Sequence, residues 1–105
     1  MAKIKTHIED TIALLKHHDG WQDVHIWLDA YITKYPIAKF QDFHRKFRHN
    51  SVGVEYIRKT MGYDASLAAK IHLIRDVEAF VLLKPMRQVK INELHKLTAM
   101  AYKYL

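Results

Sequence analysis

Only three glycines and two prolines punctuate the 105 residues of this chain. Sheet proteins with many tight turns need more of these residues, so this sparse supply directs the chain towards helices. Half of the residues are hydrophobic, enough for a packed core and too much for a disordered chain. The length suits a single domain, 1–105. The fold class that follows is all-α: a compact bundle of about five helices.

Apolar spacing places the helices. Ile4, Ile8, Ile12 and Leu15 predict a first helix over about 2–17 with an aliphatic stripe facing the core. His18-Asp19-Gly20 ends it, with Gly20 suited to a left-handed position. Val24, Leu28, Tyr31 and Tyr35 predict a second helix over about 21–34, stopped by Pro36. The third, over about 39–61, is the longest, with Phe40, Phe43, Phe47, Val54, Ile57 and Met61 on its core arc. Gly53 lies inside it at a cost of about 1 kcal/mol against alanine, which points to close approach of another backbone or a ligand. The fourth, over about 64–83 with Asp64 or Ser66 near its cap, is apolar almost all round and is therefore the central helix. A basic loop over 86–90 and a final helix over about 91–104, with Asn92 near its cap, complete the chain.

The net charge of +6, with histidines neutral, favours an anionic partner. Cysteine is absent, so thiolate metal sites and disulfides are excluded. Any divalent metal cofactor has to be held by nitrogen and oxygen. No targeting pattern and no membrane-length apolar run is visible, so the expected location is the cytoplasm.

Two histidine/acid pairs stand four residues apart, His25 with Asp29 and His72 with Asp76. That spacing puts both members on one helical face. It suits two ligands to one metal, or a carboxylate that orients an imidazole. A plain structural His–Asp hydrogen bond is the alternative for each pair. The candidate metal ligands are thus His25, Asp29, His72 and Asp76, the last two expected among apolar neighbours.

On a continuous third helix His44 and His49 lie about 140° apart. They flank a basic face holding Arg45, Arg48 and Lys59, and read as walls of a pocket rather than ligands of one ion. Arginine forks match phosphate oxygens. The candidate ligand-binding residues are therefore His25, His44, Arg45, Arg48, His49 and Lys59, against the bland alternative of a solvated basic face. His17 and His18 read as surface residues at a helix C-terminus. No zinc-protease, P-loop or dinucleotide signature is present.

Three motifs also occur in order: His25-Ile26-Trp27-Leu28-Asp29, then His44-Arg45-Lys46-Phe47-Arg48-His49-Asn50-Ser51-Val52-Gly53, then His72 to Asp76. This order resembles an uncharacterised family of small all-helical proteins of bacteria and their phages. Its pattern reads H-x-W-x-D, H-R-x-x-R-H-x-x-x-G and H-x-x-x-D. The resemblance covers roughly residues 7–80, with an early family histidine near His7. The chain departs from the pattern at Phe43, where the family has arginine, and at Asn50, where it often has histidine; the family's proline-tryptophan ending is also missing. The resemblance implies a small phage-type or bacterial protein with a shared histidine/acid site, and it names no reaction.

Three functions compete. The first is binding, and sequestration, of a phosphorylated small molecule such as a nucleotide in a His/Arg-lined pocket, with a homo-oligomer and a subunit interface as further expectations. The second is a metal-dependent phosphohydrolase built on the His/Asp pairs, holding one or two ions. The third is nucleic-acid binding through the basic helix, ranked last because acids interrupt each basic stretch and no reader motif is present.

Overall fold

In a computed structural model, residues 4–29, 48–77 and 84–105 are described. They form an all-α bundle: α1 (Ile4–Leu15), α2 (Gln22–Leu28), α3 (Ser51–Met61), α4 (Tyr63–Asp76) and α5 (Ile91–Ala101), with a short 3-10 turn over Met86–Gln88. Among the described residues no helix is long and apolar enough to cross a membrane.

α4 is the central helix, as its all-round apolarity predicts. Ala65, Leu67, Ala68, Ala69, Ile71, Leu73 and Ile74 are all buried. One side packs with Met86, Val89, Leu94 and Ala101 of the C-terminal segment. The other side packs Ala65, Ala68, Ala69 and Leu73 against Val24, Leu28, Val54 and Ile57 of α2 and α3. Alanines at this contact let the flanking helices come close. The residues expected to extend this helix, Phe80 to Leu83, lie outside the described residues.

The face of α1 differs from the expectation. Ile12 is 41% exposed, whereas His7, Asp10 and Thr11 are buried. Asp10 and Thr11 meet hydrogen-bonding partners across the bundle, and His7 stands beside a carboxylate. Arg75 grips Asp10 with two bonds of 2.6 and 2.7 Å, His7 meets Asp76, and Thr11 meets His25. A polar inward face can be buried because it is matched, and the isoleucines are displaced to its flanks.

Two other boundaries shift for a common reason. α2 ends at Leu28 rather than near residue 34, with Asp29 as its C-cap. Its closing carbonyls are taken by the next described segment. Arg48 Nη1 donates to the Trp27 carbonyl at 2.7 Å and His49 Nε2 to the Leu28 carbonyl at 3.1 Å. These donors satisfy groups that a helix end leaves without partners. The long third helix is not continuous either. Asn50 is extended (φ −157°), and its side chain accepts the Gly53 N–H at 2.9 Å, so α3 starts at Ser51. Gly53 does mark a close approach. A Cβ there would stand 2.0 Å from the Arg48 carbonyl oxygen, so the turn closes only over glycine.

The remaining helix starts carry smaller differences. Gly62 (φ 105°), not Asp64 or Ser66, precedes α4, and Lys90 rather than Asn92 precedes α5. Gly20 takes the left-handed conformation expected of it (φ 62°).

Candidate metal centre

α1, α2, α4 and the turn before α3 together enclose six ionisable side chains. His7, His25, His49 and His72 are fully buried, Asp29 is 5% exposed, and the Asp76 carboxylate is buried. Each of the three sequence motifs sends residues here: His25 and Asp29, His49, and His72 and Asp76.

One ligand atom from each of Asp29, His49, His72 and Asp76 lies within 4.8 Å of the other three. His72 Nε2 is 3.0 Å from Asp29 Oδ1 and 3.5 Å from Asp76 Oδ2. His49 Nε2 is 3.3 Å from Asp29 Oδ1, and its Nδ1 is 3.3 Å from Asp76 Oδ2. Neighbouring ligands around one ion, at bonds of about 2.0–2.2 Å, stand about 3.0–3.5 Å apart. The separations of His72 Nε2 from Asp29 Oδ1 and Asp76 Oδ2, and of His49 Nδ1 from Asp76 Oδ2, fall in that range.

His7, His25 and His72 form a second set with the same 4.8 Å limit. The His7 ring stacks on the His72 ring, centroids 3.6 Å apart and planes 18° apart. His25 Nδ1 is 3.0 Å from His72 Nδ1.

The hydrogen bonds fix where the protons sit. Thr11 Oγ1 donates to the His7 carbonyl at 2.7 Å, and a carbonyl can only accept. The threonine oxygen is therefore an acceptor for His25 Nε2, 2.8 Å away, which must carry the N–H. Burial, followed by the neighbouring imidazoles of His72 and His7, pushes the His25 pKa down to about 3. A neutral His25 with Nε2–H has a lone pair on Nδ1, so His72 Nδ1 supplies the proton between the two rings. Burial also pushes His72 down to about 4, against the pull of Asp29. A neutral His72 with Nδ1–H has its lone pair on Nε2.

His72 Nε2 is also within hydrogen-bonding distance of Asp29 Oδ1, at 3.0 Å. Burial raises the pKa of Asp29, yet the His49 and His72 contacts outweigh it and hold the carboxyl well below its usual range. Asp76 is lowered in the same way, its burial offset by His7, His72 and His49. Two carboxylates and the imidazoles of His49 and His72 thus converge in a buried space, a nitrogen and oxygen donor set that suits a divalent cation without a sulfur ligand.

The sequence-derived residues divide clearly. Asp29, His72 and Asp76 come together, and His25 joins them through His72. His44 and Arg45 lie outside the described residues. Arg48 is half-buried, its guanidinium 4.3 Å above the Trp27 ring while it caps the Trp27 carbonyl. Trp27 in turn stacks on Tyr56, centroids 5.0 Å apart. Lys59 is exposed and lines an open hollow of about 590 Å³ with Ser51, Val52, Glu55 and Tyr56. His49, expected on a basic helical face, is in the core because the chain turns at Asn50. Sequence reasoning leaves His7 out of the candidate ligands, although the family resemblance marks its position, and misses Thr11. Their signal is the buried face His7–Asp10–Thr11, at helical spacings of three and four.

His17, His18 and Asp19 form a third, exposed set of potential ligands. Here Asp19 Oδ1 already accepts the Trp21 N–H at 3.0 Å and meets His17 Nδ1 at 2.5 Å. Compared with known protein families, with curated proteins and with solved structures, the chain matches none.

Proposed function

We propose that this chain is a metal-dependent protein whose buried His/Asp centre holds a divalent ion and serves hydrolysis of a phosphorylated small molecule. The observation that carries this reading is the convergence of one ligand atom from each of Asp29, His49, His72 and Asp76 within 4.8 Å of one another in the buried centre. The ion's ligands would be His72 through Nε2, Asp29 through Oδ1, Asp76 through Oδ2 and His49 through Nδ1. His25 would act as the orienting residue, accepting the His72 Nδ1–H and so fixing the tautomer that exposes Nε2. Mixed imidazole and carboxylate ligands favour zinc, iron or manganese over magnesium. When bound, such an ion polarises a phosphoryl oxygen and makes water a nucleophile near neutral pH. The +6 net charge supports an anionic substrate.

The test is metal analysis of the purified protein, with phosphate release from a nucleotide panel, for the wild type and His72→Ala. Metal-free wild-type protein, or a folded His72→Ala variant with undiminished activity, would sink the reading.

Capture of a phosphorylated molecule without chemistry is the second reading. It is supported by the Arg48–Trp27–Tyr56 stack beside the hollow that Lys59 lines. A guanidinium, stacked rings and a lysine suit a nucleotide's phosphates and base. It requires full affinity in strong chelator and a ligand recovered unchanged.

A further inference from the structure

His7 is the one buried imidazole that the four-ligand site leaves unexplained. It is fully buried, yet neither ring nitrogen has a hydrogen-bond partner among the described residues. Leaving buried polar groups unsatisfied costs about 1–3 kcal/mol each, so such a ring calls for an explanation. Its Nε2 does have a close neighbour, Asp76 Oδ1 at 3.1 Å, but the pair is out of line for a hydrogen bond. The contact also helps to hold the Asp76 pKa down, and two ligands of one ion stand at a similar separation.

The two oxygens of Asp76 face different histidines. Oδ1 faces His7 Nε2, while Oδ2 faces His72 Nε2 at 3.5 Å and His49 Nδ1 at 3.3 Å. The His7 and His72 rings are stacked 3.6 Å apart and nearly parallel, with both Nε2 atoms directed at the same carboxylate. Two parallel imidazoles at that separation address two points rather than one. Ions that share a bridging carboxylate lie about 3.5–4 Å apart in two-metal sites.

We infer that the centre is dinuclear: Asp76 bridges two divalent ions through its two oxygens, and His7 Nε2 is a ligand of the second. This rests on the metal reading above. The second ion has His7 and Asp76 Oδ1 as its protein ligands, because His25 Nδ1 is committed to the His72 proton. Its remaining positions are left to water and to phosphoryl oxygens, as an open catalytic position requires. It is therefore the weaker of the two and the first to leave on dialysis. A pair of ions clamps the attacking and leaving oxygens of an in-line displacement, which with the +6 net charge suits phosphate esters and anhydrides.

The probe is manganese(II) added to metal-free full-length protein, followed by bound-metal analysis and electron paramagnetic resonance. At saturation the wild type should bind two equivalents and show an exchange-coupled spectrum. His7→Ala should bind one equivalent and show the uncoupled six-line spectrum. Wild-type protein that saturates at one equivalent with a six-line spectrum would overturn the dinuclear inference and leave the single-ion reading standing. No bound manganese, together with no bound zinc, would overturn both. Should His7→Ala fail to fold, the wild-type stoichiometry and coupling decide between one ion and two.

Discussion

The buried centre and the turn over residues 17–19 contain the same chemistry in opposite settings. Each gathers histidines and carboxylate within ligand distance. On the turn the three residues are consecutive, exposed or half-exposed, and Asp19 is satisfied by Trp21 and His17. Water is at hand, and such surface contacts contribute little. In the core the residues come from α1, α2, α4 and the turn at His49, and water is excluded. Nearness of histidine to aspartate is therefore weak evidence for a metal by itself. Burial of four such donors drawn from separate elements is stronger.

The sharpest separation of the two regions is by pH. The folded-state pKa values of His25 and His72 are depressed to about 3 and about 4, from an unfolded value of about 6.5. The stability linked to them is fully present above pH 6.5. It is lost as pH falls through about 4 and then 3, because the unfolded chain binds the protons first. Between pH 6 and pH 4 the folding equilibrium of the metal-free protein should fall by roughly tenfold per pH unit for each histidine. Denaturant titrations across that range measure it, and a flat profile would mean that the rings are not buried neutral. His17→Ala should leave the profile unchanged.

Next in size is His72→Ala. It removes the ring that both ligand sets share and takes one imidazole contact from each of two buried carboxylates. An expected loss of about 3–5 kcal/mol would appear in urea unfolding. Metal itself comes third. Zinc at a hundred times its dissociation constant adds about 2.7 kcal/mol. At about 4–8 °C per kcal/mol, thermal scans with zinc and with chelator should differ well beyond error. A smaller effect is expected from Thr11→Val, which removes the hydroxyl that sets the His25 tautomer while keeping its shape. Zinc affinity should fall about 10–100-fold, and a native-like affinity would remove the threonine from the relay. The smallest effect is that of His17→Ala with His18→Ala, within about 0.5 kcal/mol and with no change in zinc affinity.

Much of this architecture is legible in the sequence. The apolar circumference of α4 marks it as central, and the helical punctuation at Gly20, Gly53 and Gly62 falls at real turns or close approaches. The pairs His25/Asp29 and His72/Asp76 are visible because i, i+4 spacing needs no tertiary information. What fails is the equation of inward with apolar. α1 buries His7, Asp10 and Thr11 because their partners are on α2 and α4, and periodicity cannot see a matched partner. His49 escapes for a different reason. A single rotation rule carried through Asn50 puts the imidazole on a solvent-facing helix. Asparagine is one of the best helix-capping residues, and here the backbone turns extended and points the preceding imidazole inward. The fragment His49-Asn50-Ser51 holds that signal.

The most direct test of the central claim is zinc retention after exhaustive dialysis of zinc-loaded protein, read by elemental analysis on three chains: wild type, His72→Ala, and the His17→Ala/His18→Ala double variant. A buried metal centre predicts at least one tightly held ion in the wild type and in the double variant, and none in His72→Ala. Retention lost in the double variant and kept in His72→Ala, or no retention in any of the three, would contradict it.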